Sequence, residues 1–193
     1  AALGQIEVSH SGSSDDTKGK MILSTHTGSA LTAALTIDDA QKVIIPGEVN
    51  FGGAASFDSA VADEGVSGIT ATFTAGEALV RGEVVYFKAG DSKMWKAVAT
   101  AAATSRCVAM AAADISADAA GLFLLEGFCH DNGSFPAYTV AGILYTPEAE
   151  TSSENVPEQA APDTDGDFVQ VIGWAVTANM VYFRPDSTVI EVA

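Results

Sequence analysis

The sequence predicts a mainly β protein: an antiparallel β-sandwich or barrel-like C-terminal domain, preceded by an extended N-terminal arm, with few short helices. Three observations support this fold class. Short segments alternate between apolar and polar residues, which is the pattern of strands that bury one face. Gly, Pro and Asp separate these segments at the spacing of hairpins. The alanine-rich segments show no apolar stripe with the period of a helix.

The first fifty residues contain little that could form a core. Ser9–Lys20 is rich in Ser, Gly and Asp, so burial cannot offset the entropy lost when this stretch is ordered. Apolar alternation begins at Leu35 and Ile37 and resumes at Val43–Ile45. We therefore predict an extended arm at 1–50, a linker at 51–67 and a β-rich domain at 68–193; the resemblance described below implies that the arm is an anchoring segment and that the domain faces outward.

The clearest predicted strand is Ile69–Thr74, where apolar residues and threonines alternate strictly. The remaining strands are predicted from β-branched and aromatic runs between turn residues. They are Glu83–Lys88, Lys93–Val98, Arg106–Ala111, Gly121–Phe128, Ile143–Thr146, Phe168–Val176, Met180–Phe183 and Thr188–Val192.

Only three segments have a composition that suits short helices: Ala54–Asp63, Val98–Ser105 and Ala111–Ala120. The sequence also contains a weak internal echo. Tyr86-Phe87-Lys88 and Tyr182-Phe183-Arg184 each place a cation directly after a Tyr-Phe pair. This is a faint repeat at most.

The charge balance excludes some partners. The 193 residues include 25 acidic and 9 basic side chains, for a formal net charge of -16. Such a chain repels nucleic-acid phosphates and anionic lipid headgroups, so we expect no nucleic-acid or membrane partner. Residues 97–193 hold 13 of the acidic side chains and only two basic ones, Arg106 and Arg184.

No segment has the run of about 20 apolar residues that a membrane span needs. Residues 1–12 lack the basic and apolar regions of a secretion signal. The expected place of synthesis is therefore the cytoplasm, unless a signal has been removed. The two cysteines, Cys107 and Cys129, are too few and too far apart for a disulfide framework or a metal knuckle. We expect buried, reduced thiols.

The sequence predicts no catalytic residues, no cofactor and no enzyme activity. His10, His26 and His130 lie in separate segments, without the spacing of paired metal ligands. Cys129 and His130 are adjacent, but neighbours along a strand point to opposite faces, which makes a nucleophile–base pair geometrically poor. Motifs that bind phosphate or build a nucleophile elbow are missing from the sequence.

One weak calcium candidate is formed by Asp163, Asp165 and Asp167, because alternating carboxylates around a glycine suit a hard cation. In an EF-hand loop that begins at Asp163, Gly166 would stand fourth instead of sixth, and the twelfth position would be Trp174. A solvated acidic turn is therefore the favoured interpretation. Both tryptophans, Trp95 and Trp174, lie in apolar strand runs and are predicted to be core or subunit-interface residues.

Three segments together resemble bacteriophage virion proteins. The run from Gly76 to Met110 (GEALVRGEVVYFKAGDSKMWKAVATAAATSRCVAM), then Gly121–Phe128, and the closing FVQVIGWAVTANMVYFRPDSTVIEVA of Phe168–Ala193 are similar to the C-terminal domains of capsid decoration (cement) proteins and of head or tail fibres. The preceding ALTIDDAQKVIIPGEVNF, Ala34–Phe51, is similar to short strand-turn segments of trimeric phage fibres. The resemblance concerns the general pattern of residues in these segments and specifies no catalytic residue.

The resemblance implies a homotrimer on the exterior of the capsid or tail, with the major capsid protein or tail proteins as partners. It implies stabilisation of the shell or surface attachment. The alternative is a tail-fibre receptor-binding protein or a secreted carbohydrate-binding module that recognises a host-surface glycan, assisted by calcium at the acidic loop.

Overall fold

The computed structural model describes residues 4–10, 19–26, 29–38, 42–46, 49, 54–148 and 155–193. These residues form strands joined by turns and loops, with no helix among them, which confirms the predicted mainly β fold. The chain divides into two compact units, Ala1–Ala55 and Ser56–Ala193. Across the described ranges, no helix is long and apolar enough to cross a membrane.

The first unit is a four-stranded antiparallel meander, here called the N-terminal sheet. Its strands are β1 (Gly4–His10), β2 (Gly19–His26), β3 (Leu31–Ile37) and β4 (Val43–Ile44), paired in sequence order. The described residues of the segment predicted as an arm therefore pair with one another in a sheet. Of the stretch predicted as mobile, Ser9–Lys20, residues 11–18 lie outside the described residues.

The second unit contains ten strands. They are β5 (Gly65–Thr74), β6 (Val84–Lys88), β7 (Lys93–Lys96), β8 (Ala109–Ala111), β9 (Ala120–His130), β10 (Ile143–Tyr145), β11 (Phe168–Val169), β12 (Val171–Thr177), β13 (Met180–Phe183) and β14 (Ile190–Glu191). Eight of them form one sheet in the order β10-β12-β13-β9-β8-β6-β7, with β5 paired antiparallel to β9. Strands β11 and β14 form a separate pair.

Strand β5 begins earlier than the sequence predicts. Gly65–Ser67, placed in the predicted linker, pair with Phe128–His130 of β9. The glycines at 65 and 68 explain why the sequence did not predict this part of the strand, because glycine is a poor strand former. Gly68 is required here: a Cβ at this position would meet the backbone of β9 near Gly127, only 2.8 Å from the Gly127 Cα.

The candidate helical segments form loops and turns. In the alanine-rich Ala111–Ala120, the backbone of Ile115 exchanges two hydrogen bonds with Leu79, each 2.8 Å long. Alanine favours helix by propensity, but a helix without an apolar stripe gains little from packing. Pairing with a distant segment therefore prevails over local propensity.

The large sheet has a core on each face. Adjacent residues of β6, Val84 and Val85, are both fully buried but belong to different clusters, as do Phe123 and Leu124 of β9. Side chains alternate across a strand, so the two clusters lie on opposite faces. Core 1 contains Val84, Ala97, Cys107, Met110, Leu124, Cys129, Phe135, Tyr138, Leu144, Ile172, Ala175, Val181 and Phe183. Core 2 contains Ala75, Leu79, Val85, Met94, Ala109, Ala111, Ile115 and Phe123.

Buried polar side chains tie loops to this framework. Glu83 is fully buried; its Oε1 accepts from the Asn155 N–H at 2.9 Å and lies 3.1 Å from Lys96 Nζ, and its Oε2 accepts from the Val80 N–H at 2.8 Å. Gln170 accepts from the Cys107 N–H and donates to the Asp186 carbonyl, at 2.7 Å in both cases. These bonds satisfy groups that would otherwise be costly to bury.

Candidate functional site

The second unit carries a row of three aromatic residues on three neighbouring strands, with Ile143 of a fourth strand at its end; we call it the aromatic row. Ile143 of β10 pairs with Trp174 of β12, Trp174 with Tyr182 of β13, and Tyr182 with Phe128 of β9. The next residue along β12, Ala175, belongs to core 1. The aromatic row therefore lies on the sheet face opposite core 1.

Rings in this row contact one another across the strands. The Trp174 and Tyr182 ring centroids are 4.7 Å apart with the planes tilted by 32°, and the Tyr182 and Phe128 centroids are 5.0 Å apart, edge to face. Such contacts favour one ring arrangement over others. Trp174 is nevertheless 45% exposed, so a large part of its indole faces solvent.

A glycine places Trp174 in this position. Gly173 has a φ of 150°, a backbone conformation that residues other than glycine rarely adopt. A Cβ at Gly173 would also collide with the carbonyl oxygen of Tyr182 on β13. The close approach of β12 and β13 that brings the two aromatic rings together thus depends on this glycine.

Polar groups stand beside the row. The Tyr182 hydroxyl donates to Glu126 Oε1 at 2.9 Å, and Arg184 Nε lies 3.7 Å from the same oxygen. Partial burial, and then the bond to Glu126, raise the pKa of Tyr182 above its usual range. Tyr182 therefore remains a neutral donor at physiological pH, and Glu126 is held between a hydroxyl and a guanidinium.

An open depression adjoins Trp174. It has a volume of about 580 Å³ and is lined by Val171, Trp174, Arg184, Pro185, Asp186 and Ser187. We call it the Trp174 depression. The Asp186 carboxylate accepts from the Thr188 N–H at 2.7 Å, and this bond lowers the pKa of Asp186. Asp186 is therefore an ionised, oriented acceptor at neutral pH.

The two tryptophans have different surroundings. Neither belongs to core 1 or core 2, so the predicted core position is wrong for both. Trp95 donates its indole N–H to Asp91 at 3.0 Å, and Lys88 Nζ lies 3.8 Å from the ring centroid. In the part of the chain that the structure describes, the Trp174 indole N–H has no hydrogen-bond acceptor. Trp174 thus offers both an exposed ring and a free donor.

The internal echo noted in the sequence has a structural counterpart. Tyr86 pairs directly with Trp95 across β6 and β7, just as Tyr182 pairs with Trp174 across β12 and β13. Each Tyr-Phe-cation segment therefore lies opposite a tryptophan on the neighbouring strand. The echo was the one signal in the sequence that pointed to Tyr182 and Arg184.

A second cleft lies between two loops. Its volume is about 380 Å³, and its lining includes Tyr138, Val156, Pro157 and Glu158. Among the described residues that line the cleft, Glu158 is the only one with a carboxyl group, and burial raises its pKa. This described lining therefore shows one carboxyl group and not the two that a paired acid and base would need.

The N-terminal sheet presents a second kind of surface. Its register places apolar residues from all four strands on one face. They are Ile6, Val8, Met21, Leu23, Leu35, Ile37 and Val43. None of the side chains described in this unit is buried, and Ile6 and Val8 are 71% and 74% exposed. We call this surface the apolar face.

The structure does not gather the calcium candidates into a metal site. Asp163 and Asp165 are exposed, whereas Asp167 is buried. Within the described ranges, no group of three or more His, Cys, Asp or Glu side chains could hold a metal ion. The loop is instead fixed by backbone bonds, including Asp167 N–H to Thr164 and Val192 N–H to Asp167.

The histidines and cysteines form no dyad among the described residues. Cys129 lies in core 1, where burial raises its pKa to about 12. Nδ1 of the neighbouring His130 lies 2.8 Å from the Val61 carbonyl oxygen instead. Cys107 is also free and buried. His26 lies in β2, and the side chain of His10 lies outside the described residues.

In comparisons with known proteins, no family model, no curated protein and no solved structure matches this chain.

Proposed function

We propose that this chain is a structural protein of a bacteriophage particle, carried on the exterior of the capsid or tail as a homotrimer. In this proposal it is made in the host cytoplasm and acts by binding, without catalysis. Its partners are its own copies and the major capsid protein or tail proteins. A capsid decoration (cement) or head-fibre role is favoured over a tail-fibre role.

The observation that carries the proposal is the apolar face of the N-terminal sheet. Among the described residues of this four-stranded layer, none is buried, so they form no core of their own, and a sheet needs a second layer to be stable. Copies of the same chain supply such a layer at the correct stoichiometry and under symmetry. Association through Ile6, Val8 and their neighbours would bury this face.

Charge is compatible with an exterior location. The second unit has 19 acidic and 6 basic side chains, for a net charge of -13. Packaged DNA repels such a unit, whereas a solvent-facing surface tolerates it and gains solubility. The number of copies, three, comes from the resemblance to phage decoration and fibre proteins.

The first test is the solution mass of the full chain, measured by size-exclusion chromatography with light scattering. We expect about three times 19.7 kDa. Ile6→Lys places a charge on the apolar face and should lower the mass. The matched control, Gln5→Lys, adds the same charge to the adjacent exposed residue on the other face and should leave the mass unchanged. A monomeric wild-type chain would refute the proposal.

Decoration and fibre roles predict different phenotypes. Particles that lack a cement protein should burst more readily on heating or at low salt, while adsorption to host cells stays normal. Particles that lack a fibre should be sound but adsorb poorly.

A further inference from the structure

We infer that the Trp174 depression binds a neutral sugar ring of a glycan, stacked on the indole of Trp174. This inference goes beyond the proposed function, because it concerns only the second unit and does not require a trimer. It rests on the ring, the polar groups and the charge around the depression.

The exposed indole supplies the stacking surface. A pyranose has an apolar face of C–H groups and a rim of hydroxyls, so it needs an aromatic plane beside hydrogen-bonding groups. Trp174 provides the plane together with an unused N–H donor, and the depression volume of about 580 Å³ lies in the usual range for small-ligand sites. Contact with Tyr182 at 4.7 Å fixes the tilt of the indole.

One of the polar groups, Asp186, is already oriented by hydrogen bonds. Asp186 is held by three hydrogen bonds: its carboxylate accepts from the Thr188 N–H, its carbonyl accepts from the buried Gln170 side chain, and its N–H donates to the Val171 carbonyl at 2.8 Å. Arg184 lies beside Glu126, and its guanidinium is a planar, multiple donor. Sugar hydroxyls both donate and accept, so a carboxylate and a guanidinium at one site satisfy both roles. Preorganised groups lose little entropy on binding.

Charge selects a neutral sugar over an acidic one. Arg184 is one of only two basic residues after position 96, and it already faces Glu126 at 3.7 Å. An anionic sugar would meet Asp186 in the depression and the net charge of -13 on the unit. Repulsion of this kind disfavours an anionic ligand.

The same groups disfavour a protein partner. The centre of a protein interface is typically depleted of charged residues, whereas the Trp174 depression contains both Arg184 and Asp186. The apolar face of the N-terminal sheet, which lacks charged side chains at its paired positions, has the opposite composition. The test below therefore includes the outcome that a second copy of the chain, and no sugar, covers Trp174.

The test uses the full chain and four neutral oligosaccharides: cellohexaose, maltohexaose, mannohexaose and chitohexaose. Saturation-transfer NMR and tryptophan fluorescence are recorded up to about 10 mM sugar, a range that detects millimolar Kd values. We expect at least one sugar to bind. Trp174→Ala should weaken that binding about tenfold or more, and Trp174→Phe, which keeps a ring, should restore part of it. Asp186→Asn should also weaken binding.

The matched control is Phe87→Ala, since Phe87 is also 45% exposed but lies on β6, outside the depression. It should leave binding unchanged. The inference is overturned if none of the four sugars binds, or if both Trp174→Ala and Trp174→Phe bind as the wild type does. It is also overturned if Trp174→Ala lowers the mass of the assembly, because a second copy then covers the indole. Failure of the trimer proposal would appear separately, in the wild-type mass.

Discussion

Glu83→Gln tests whether the buried polar cluster holds the second unit together. The substitution keeps the shape of the side chain but removes its charge. In the folded protein the Glu83 carboxylate lies 3.1 Å from Lys96 Nζ and accepts from two backbone N–H groups, those of Val80 and Asn155. A glutamine has only one acceptor oxygen, so one N–H would face the amide NH₂ group, and Lys96 would lose its counter-ion.

The expected loss of stability follows from burial. Removal of one member of a buried ion pair costs about 3–5 kcal/mol. Lys96 is 17% exposed and can recover some hydration, which places the loss near the lower end, about 3 kcal/mol. With a urea m value of about 2 kcal/mol/M, the unfolding midpoint should fall by about 1.5 M.

The control is an ion pair at the surface. Lys93 Nζ lies 2.6 Å from Asp118, whose side chain is 72% exposed, so Asp118→Asn should lower the free energy of unfolding far less than Glu83→Gln does. Urea unfolding of both variants is measured at one fixed protein concentration, because association shifts apparent stability. If Glu83→Gln lowers the midpoint no more than Asp118→Asn does, the cluster does not stabilise the unit as argued.

Two further predictions concern titratable groups. Burial raises the pKa of Glu158 above its ordinary 4.5, so the folded state holds this proton more tightly than the unfolded state, and stability is lost as pH rises through the raised pKa. Glu158→Gln should therefore stabilise the protein at pH 7 and leave it unchanged well below pH 4.5 in thermal melts; destabilisation at pH 7 would contradict this. Burial raises the pKa of Cys107 and Cys129 to about 12, so Ellman's reagent should label neither thiol in the native protein at pH 8 and both in guanidinium.

The fold class could be predicted because it depends on local alternation. Ile69–Thr74 shows strict period two in the sequence and forms most of β5 in the structure. The first residues of β5 could not be predicted, because Gly65 and Gly68 carry no side chain that signals a strand. They pair only because β9 runs beside them for its full length, which is a non-local property.

The candidate site was harder to predict, because exposure depends on which face of the sheet is covered. Trp174 lies between Gly173 and Ala175, and this apolar run reads as a core strand. Core 1 covers the face that carries Ala175, which leaves Trp174 on the other side. Asp186 is positioned at the site by its hydrogen bonds with Val171, Thr188 and Gln170, and such non-local bonds cannot be predicted from sequence spacing.

The two surfaces differ in the way that their proposed partners require. The core of an interface between identical chains is typically more apolar than the rest of the surface and depleted of charged residues. The apolar face meets this condition through residues such as Ile6, Val8 and Val43. A surface that recognises hydroxyl groups needs oriented polar side chains. A strong net charge on the same unit keeps assembled particles apart in solution. The Trp174 depression lies on the unit that carries 19 of the 25 acidic side chains. In the proposed arrangement, the chain would assemble through the first unit and bind a ligand through the second.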